Sequence, residues 1–258
     1  MNAKNDYIAV FDSGLGGLTV LRELLHLMPN ERYLYFGDAA NAPYGSHSTQ
    51  EVREFTLNCT RELMAQEVKA LVVACNTATS AAIDTLRRQY PDTIIIGIEP
   101  ALKVAVDRFP GGNIAVMATP VTLREEKFRK LMNRYAQNCK VTPIPAPGLV
   151  ELIETGHIDD PETDRYLSAL LGDFRGKLDA VVLGCTHYPF AAGAISRILG
   201  TGTVLIDGGA GTARETRRRL EEAGLLSDGP GELLIRSSSS NPQFFTLADT
   251  LLMQPVVF

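Results

Sequence analysis

Short apolar runs alternate with helix-like segments along almost the whole of this 258-residue chain. Each run has the length of a buried strand, and the segments between the runs carry the periodicity of amphipathic helices. The alternation predicts βαβ units and a largely parallel sheet, which is an α/β fold. The predicted strands are Tyr7–Phe11, Arg32–Phe36, Ala70–Ala74, Thr93–Ile98, Asn113–Ala118, Ala180–Leu183 and Thr203–Ile206. The predicted helices are Leu18–Leu27, Thr49–Gln66, Ala78–Gln89, Pro100–Arg108, Leu123–Gln137, Pro161–Leu171, Ala210–Ala223 and, in the tail, Pro242–Leu252.

A weak internal repeat divides the chain into two similar halves. The triplet that starts at Ile8 recurs 106 residues later at Ile114, and Cys75, which follows an apolar run, recurs 110 residues later as Cys185. Nearly equal offsets favour two similar α/β domains with a boundary near Glu99 and Pro100. We expect the two domains to be related by a pseudo-twofold axis and to face each other across a cleft, with mainly parallel sheets.

The composition excludes several classes of function. An apolar content of 45%, a charged content of 21% and a net charge of −5 are ordinary for a globular protein. The triplet Arg217–Arg219 is surrounded by glutamates on a predicted helix and is typical of a solvated face, so nucleic acid and membrane are poor candidates as partners. The polar start, Met1–Asp6, does not resemble a signal peptide, and no apolar run approaches the roughly 18 residues of a membrane span.

The four cysteines show no CxxC spacing, which argues against a zinc site or a thioredoxin-like pair. Without an export signal, we expect reduced thiols and a cytoplasmic protein. Cys59 and Cys139 are expected to be inert core residues. No metal or cofactor is predicted, and Lys103, the nearest candidate for a pyridoxal phosphate lysine, lies within a helix pattern.

Cys75 and Cys185 differ from the other two thiols because each follows a predicted strand and precedes polar residues. Active sites of open α/β sheets lie at the carboxyl ends of the strands. Each thiol also precedes a predicted helix, whose N-terminal dipole is expected to lower the thiol pKa from about 8.5 toward neutrality. His187 is expected to tune the Cys185 thiol or act through it; a structural histidine is the alternative.

A matched pair of thiols suggests a reaction that uses the same group twice. Inversion of a stereocentre removes a proton from one face of a carbon and returns one to the opposite face. A thiolate on one face and a thiol on the other suit this task, because thiols titrate near working pH and the two protonation states alternate with direction.

Two further strand ends carry polar motifs. The glycine-rich turn after Asp12 fails the GxGxxG pattern, because Thr19 stands at the third glycine position. Such a turn either binds a carboxylate or phosphate at a helix start or simply closes a tight βα connection. The second motif, Phe36–Gly45, is rich in turn-forming residues. Asp38 and Asn41 are expected to stabilise a turn there, and Tyr44 with its neighbour Gly45 is expected to line a pocket.

Six blocks of the sequence together closely resemble the aspartate/glutamate racemase family, and within it the enzymes that racemise glutamate. They run across nearly the whole chain, and their combination is very specific. The blocks are FDSGLGGLTVLREL (11–24), YFGDAANAPYG (35–45), VVACNTATSAA (72–82), LVELIETG (149–156), VLGCTHYPF (182–190) and LIDGGAGTARET (205–216).

The resemblance implies a reversible, cofactor-independent interconversion of L- and D-glutamate that supplies D-glutamate for peptidoglycan. Because the tail packs back on the first half in that family, it implies one domain of residues 1–98 plus 208–258 and another of residues 99–207. It makes Cys75 the acid/base on the D-glutamate face and Cys185 the one on the L-glutamate face, with Asp12, Glu154 and His187 as auxiliary ionisable residues. The implied glutamate-binding residues are Asp12, Ser13, Pro43, Tyr44, Gly45, Asn76, Thr77, Thr119, Thr122, Thr186 and His187.

One block departs from the family pattern: where a serine and then a tyrosine are common, Glu125 and Phe128 stand here. Members of the family include dimers and monomers that need a UDP-linked precursor as activator, so a homodimer is possible. Two other functions stay open. The first is a family enzyme for aspartate or another small acid; the second is a non-catalytic protein that binds small acids or nucleotides.

Overall fold

Two fully parallel sheets form the centre of the molecule in the computed structural model, which describes residues 3–98, 101–135 and 137–254. The first sheet contains β1 (Tyr7–Asp12), β2 (Arg32–Gly37), β3 (Val68–Val73), β4 (Ile94–Gly97) and β9 (Glu232–Ser237), in the order β4-β3-β1-β2-β9. The second contains β5 (Asn113–Ala118), β6 (Lys140–Pro145), β7 (Ala180–Leu183) and β8 (Val204–Ile206), in the order β6-β5-β7-β8. The predicted α/β class with two parallel-sheet domains is confirmed.

Eleven helices accompany these strands in the described part of the chain, and none of them is long and apolar enough to cross a membrane. Side chains cap the N-termini of several helices. Ser48 and Glu51 form a reciprocal capping box at the helix that begins at Thr49, and Asp160 caps the helix that begins at Pro161. The helices are α1 (Leu18–Leu27), α2 (Thr49–Met64), α3 (Asn76–Gln89), α4 (Leu102–Arg108), α5 (Pro120–Arg124), α6 (Glu126–Tyr135), α7 (Leu149–Glu154), α8 (Pro161–Leu171), α9 (Ala192–Leu199), α10 (Gly209–Glu222) and α11 (Pro242–Met253).

The internal repeat is visible in the strand pairing. The run β4-β3-β1-β2 in one sheet has the same order as β8-β7-β5-β6 in the other. The registers correspond as well, since Ile8 pairs with Ala70 and Ile114 pairs with Ala180. Equivalent strands therefore deliver Cys75 and Cys185 to equivalent edges of the two sheets.

Several elements differ from the sequence prediction. The strand β6 contains Pro143 and Pro145, which are tolerated at a sheet edge. The strand β9 is a half-exposed edge strand whose apolar run is only three residues long. Neither was expected, and α7 and α9 were not expected either. The predicted helix Leu123–Gln137 was wrong as one unit, because extended backbone at Glu125 separates α5 from α6; its Ala136, like Pro100 of another predicted helix, lies outside the described residues.

The tail returns to the first sheet, where β9 pairs in parallel with β2. The strands of residues 7–97 and 232–237 form one sheet, and those of residues 113–206 form the other. The division into residues 1–98 plus 208–258 and residues 99–207 stays a prediction, because positions 1–2, 99–100 and 255–258 lie outside the described residues.

A buried ion pair anchors the loop that leads into β9. Lys69 Nζ lies 2.5 Å from Glu31 Oε2 and donates to the carbonyl of Leu225 at 2.9 Å. The other carboxylate oxygen of Glu31 accepts the backbone N–H of Ser227 at 2.9 Å. Glu31 Oε2 has no hydrogen bond to any other described residue, so Lys69 is the group that compensates its burial.

We predict that Lys69→Met destabilises the protein by about 3–5 kcal/mol, because it leaves the buried carboxylate of Glu31 unpaired. Urea unfolding of the purified variant measures the loss. Lys103→Met is the matched control, since Lys103 and Asp107 form an ion pair on an exposed helix face. Equal losses in the two variants would contradict the role assigned to burial.

Candidate active site

The carboxyl ends of the central strands converge on one polar site. Asp12 ends β1, Cys75 follows β3, Thr119 follows β5 and Cys185 follows β7. Asp12 is fully buried, and Cys75 and Cys185 are only 5% and 7% exposed. The sequence-predicted thiols, acid and hydroxyls are therefore brought together at facing sheet edges.

Cys75 caps the N-terminus of α3, and its Sγ accepts the backbone N–H of Ala78 at 3.4 Å. The hydroxyl of Ser13 lies 3.5 Å from the same sulfur. Burial and the nearby charge of Asp12 raise the pKa of Cys75 to about 12, and the hydrogen bonds of Ser13 and Ala78 offset only part of this rise. The expectation of a near-neutral thiol was wrong for Cys75, because desolvation exceeds the effect of the helix terminus.

Cys185 has different surroundings. A 3-10 turn, Tyr188–Ala191, follows it, and α9 begins only at Ala192, so no α-helix starts directly after this thiol as the sequence suggested. Its Sγ lies 3.7 Å from Nδ1 of His187. The group placed to influence this sulfur is therefore an imidazole rather than a helix terminus.

His187, which is buried, and Glu154, which is half-buried, form a pair at the contact between the two halves. Nε2 of His187 lies 2.6 Å from Oε1 of Glu154 and accepts the backbone N–H of Gly16 at 3.1 Å. Oε1 of Glu154 also accepts the N–H of Leu15 at 2.8 Å. The first glycine-rich turn, in the first half, thus contacts both ionisable residues of the second half.

The pKa shifts of this pair favour the charged forms. Burial lowers the pKa of His187, but its contacts with Cys185 and Glu154 outweigh burial and raise the pKa well above the usual value. Burial raises the pKa of Glu154, but the hydrogen bond and charge of His187, with the amide of Leu15, outweigh it and lower that pKa. These directions favour an imidazolium–carboxylate pair, in which Nε2 donates to Glu154 and no longer accepts the N–H of Gly16.

Asp12 is held by donors from both halves. Its Oδ1 accepts the N–H of Gly14 and its Oδ2 accepts the hydroxyl of Thr186, both at 3.0 Å. Burial raises the pKa of Asp12, and the charge of His187 and the two hydrogen bonds oppose this rise.

Three threonine hydroxyls meet across the interface. Oγ1 of Thr77 on α3 lies 3.2 Å from that of Thr119 and 3.1 Å from that of Thr122, and the latter two are 3.0 Å apart. The side-chain amide nitrogen of Asn76, next to Thr77, is buried and has no hydrogen-bond partner among the described residues. Asn76 therefore keeps a free donor beside this hydroxyl cluster.

The segment 38–45 forms the remaining wall. Asp38 accepts the hydroxyl of Tyr44 at 2.6 Å and the side-chain amide of Asn41, as expected for a turn-stabilising acid. Pro43 follows a cis peptide bond, and a β-carbon at Gly45 would lie 3.0 Å from the side chain of Thr119. The segment from the first half thus touches α5 of the second.

The two departures from the family pattern occupy different places. Glu125 accepts a hydrogen bond from the hydroxyl of Thr49 at the start of α2, which links the two halves. Phe128 is buried in an apolar cluster with Leu102 and Cys139. Glu125 thus belongs to the contact between the halves and Phe128 to a core.

A cavity of about 240 Å³ adjoins the site without containing either central thiol. Its lining includes Asn76, Thr79, Arg87, Thr122 and Gly184. The described residues contain no group of three or more His, Cys, Asp or Glu side chains placed to hold a metal ion.

Sequence reasoning missed what the glycines of the first turn do. A β-carbon at Gly16 would lie 2.5 Å from Thr186 Oγ1 and closer still to His187 Nδ1, and one at Gly14 would meet the carboxylate of Glu154. These glycines allow the second half to pack closely against the turn, and they do not form a phosphate site. The departure from the GxGxxG pattern at Thr19 was the one sequence signal that argued against a phosphate-binding turn.

Two α/β domains meet at this polar site with its paired thiols, and comparisons with known proteins specify the family. The sequence model described as Asp/Glu/Hydantoin racemase matches residues 16–216. The glutamate racemase of Clostridium botulinum is 47% identical over 255 residues, covering 98% of this chain and 99% of that protein. The chain belongs to the Asp/Glu/Hydantoin racemase family.

Solved structures agree with this assignment. The glutamate racemase of Francisella tularensis in complex with D-glutamate has a TM-score of 0.87 at 30% identity, over 98% of this chain and 96% of that one. The Escherichia coli glutamate racemase, in complex with L-glutamate and the activator UDP-MurNAc-ala, has a TM-score of 0.85 at 30% identity, over 96% and 94%.

We predict that Gly16→Ala destabilises the protein by about 1–3 kcal/mol, because the added methyl group overlaps Thr186 and His187. Urea unfolding measures the change. Gly172→Ala is the control, since a β-carbon there meets nothing within 4 Å and its φ of −55° suits alanine. A wild-type stability for Gly16→Ala would contradict the packing described.

The ion pair of His187 and Glu154 predicts a pH-dependent contribution to stability. The raised pKa of His187 stabilises the fold fully below its unfolded value of 6.5, and this part is lost as pH rises through the folded value. The lowered pKa of Glu154 stabilises the fold above its unfolded value of 4.5, and this part is lost as pH falls through the folded value.

We therefore predict that Glu154→Gln destabilises the protein most between about pH 4.5 and 6.5, and less as pH rises through the folded pKa of His187. Urea unfolding of both proteins across this range measures the difference. In the same variant, NMR of the His187 ring should show deprotonation at lower pH than in the wild type. A pH-independent difference in stability would refute the charged pair.

Proposed function

We propose that this protein is a cofactor-independent glutamate racemase, in which Cys75 and Cys185 exchange protons with Cα from opposite faces. The observation that carries the proposal is the pair of buried thiols at equivalent strand ends of two facing domains. The charge of Cys185 is among the causes that raise the pKa of Cys75, although it contributes less than burial and Asp12. The names of the similar proteins support glutamate as the substrate.

In the proposed reaction one thiolate removes the Cα proton while the opposite thiol supplies a proton to the other face. The first Cα–H bond breaks as an S–H bond forms, and the second S–H bond breaks as the new Cα–H bond forms. Each turnover leaves the two sulfurs with exchanged protonation states, which alternate with the direction of the reaction. Following the family resemblance, Cys75 serves D-glutamate and Cys185 serves L-glutamate.

The auxiliary groups give the two sulfurs different support. The ring of His187, held by Glu154, lies with Nδ1 3.7 Å from the sulfur of Cys185. Asp12 lies near Cys75 and disfavours a second negative charge there. These contacts support auxiliary roles for Asp12, Glu154 and His187.

Hydroxyl and amide groups would bind the substrate without an arginine. The unpartnered amide of Asn76 and the hydroxyls of the threonine cluster offer donors to a carboxylate. The set proposed to bind glutamate is Asp12, Ser13, Pro43, Tyr44, Gly45, Asn76, Thr77, Thr119, Thr122, Thr186 and His187. A cytoplasmic role in supplying D-glutamate for peptidoglycan, and a homodimer, belong to the same proposal.

Hydrogen exchange with solvent tests the proton transfer. Incubation of either glutamate enantiomer in D₂O should scramble optical rotation and place deuterium at Cα of the product. With two bases the product gains deuterium early while the remaining substrate stays protiated. A parallel assay with aspartate addresses the substrate, since one methylene contributes only about 1–3 kcal/mol of discrimination. Absence of both racemisation and exchange would remove the proposal.

We predict that Cys75→Ser and Cys185→Ser each lower kcat by about 10²–10⁴-fold, because each removes one acid/base group. Polarimetry in both directions measures the rates. Cys139→Ser is the matched control: this thiol is also buried but donates to the carbonyl of Phe109 away from the site. Wild-type rates in either active-site variant would refute the two-thiol scheme.

A further inference from the structure

A buried carboxylate organises the segment 38–45. Asp38 is fully buried, and its hydrogen-bond donors include the side chains of Asn41, Tyr44 and Ser238. The last of these is 200 residues away in the sequence, directly after the edge strand β9. A tail residue thus contacts the carboxylate on which Tyr44 depends.

Ser238 makes three hydrogen bonds to this segment and its preceding strand. Its hydroxyl donates to Asp38 Oδ1 at 2.6 Å and accepts the N–H of Ala40 at 3.0 Å. Its own N–H donates to the carbonyl of Gly37 at 3.1 Å. One side chain therefore fixes both the carboxylate and the backbone at the start of the segment.

We propose that Ser238 is a positioning residue that holds the substrate-binding segment 38–45 in place through Asp38. This inference rests on the proposed function, because it treats Tyr44 and Gly45 as part of the glutamate site. Asp38 accepts the hydroxyl of Tyr44 at 2.6 Å, and Gly45 faces Thr119 in the second half so closely that an added β-carbon would lie 3.0 Å from its side chain. The contact with Ser238 is thus transmitted to the interface between the domains.

Loss of the Ser238 hydroxyl acts on binding rather than on proton transfer. A buried carboxylate loses a donor and a backbone N–H loses its acceptor, so the segment gains freedom. Ser238 is not among the recorded partners of Cys75 or Cys185. Because its side chain is at the surface, replacement by alanine leaves the core intact.

The test compares Ser238→Ala with the wild type. Loss of one partly exposed hydrogen bond is expected to raise KM for glutamate by about three- to tenfold, with kcat within about twofold. Hydrogen exchange, read by mass spectrometry, should accelerate in peptides that span residues 38–47 and not elsewhere in the first sheet. Ser238→Thr keeps the hydroxyl and should restore both values, and Ser240→Ala, an exposed neighbour, should change neither.

The two readouts separate the possible failures. If the wild type does not racemise glutamate, the proposed function fails, and the exchange rates still report whether Ser238 holds the segment. If the wild type is active, an unchanged KM or unchanged exchange in Ser238→Ala overturns the inference. Failure of Ser238→Thr to restore the wild-type values also overturns it, since the hydroxyl is then not the cause.

Discussion

Hydrogen bonds buried between the two domains fix the distance between the facing strand ends. Thr186 donates to Asp12, Leu15 donates to Glu154, and Thr77 meets Thr119. Each bond joins one half to the other at a largely buried contact, where a polar group without a partner is costly. A small shift of one domain would unpair several of them together. The spacing of the two thiols is therefore set by this polar layer.

The two halves repeat their backbone but not their side chains. Matched registers deliver a cysteine from each sheet, yet the position equivalent to Asp12 in the other half is Ala118, and the position equivalent to Thr77 is His187. One sulfur consequently lies near a carboxylate and the other beside an imidazole. A symmetric scaffold thus places two identical groups, and unequal neighbours give them unequal electrostatics.

The sequence predicted the parts that depend on local pattern. Buried strands of the first half and their matches in the second were readable as apolar runs, so the strand-end positions of Cys75 and Cys185 followed. The edge strands β6 and β9 were not readable, because an edge tolerates prolines and half-exposed residues. Glu154 was reachable only through the family resemblance. Its contacts with His187 and Leu15 arise from tertiary packing that no local pattern encodes.

The pKa of Cys75 was likewise not predictable from local sequence. A helix terminus is a local feature and argued for an acidic Cys75, whereas desolvation and the charge of Asp12 are tertiary and dominate. Within the proposed reaction this burial has a chemical use. A thiolate of high pKa is a stronger base toward the weakly acidic Cα–H bond, although less of it is present at neutral pH. The ammonium group of a bound amino acid would offset that scarcity, because a positive charge beside the sulfur favours the thiolate. Burial thus raises the thiol pKa, whereas the charge of the substrate would lower it. In the proposed reaction the thiolate would therefore form when the substrate is bound.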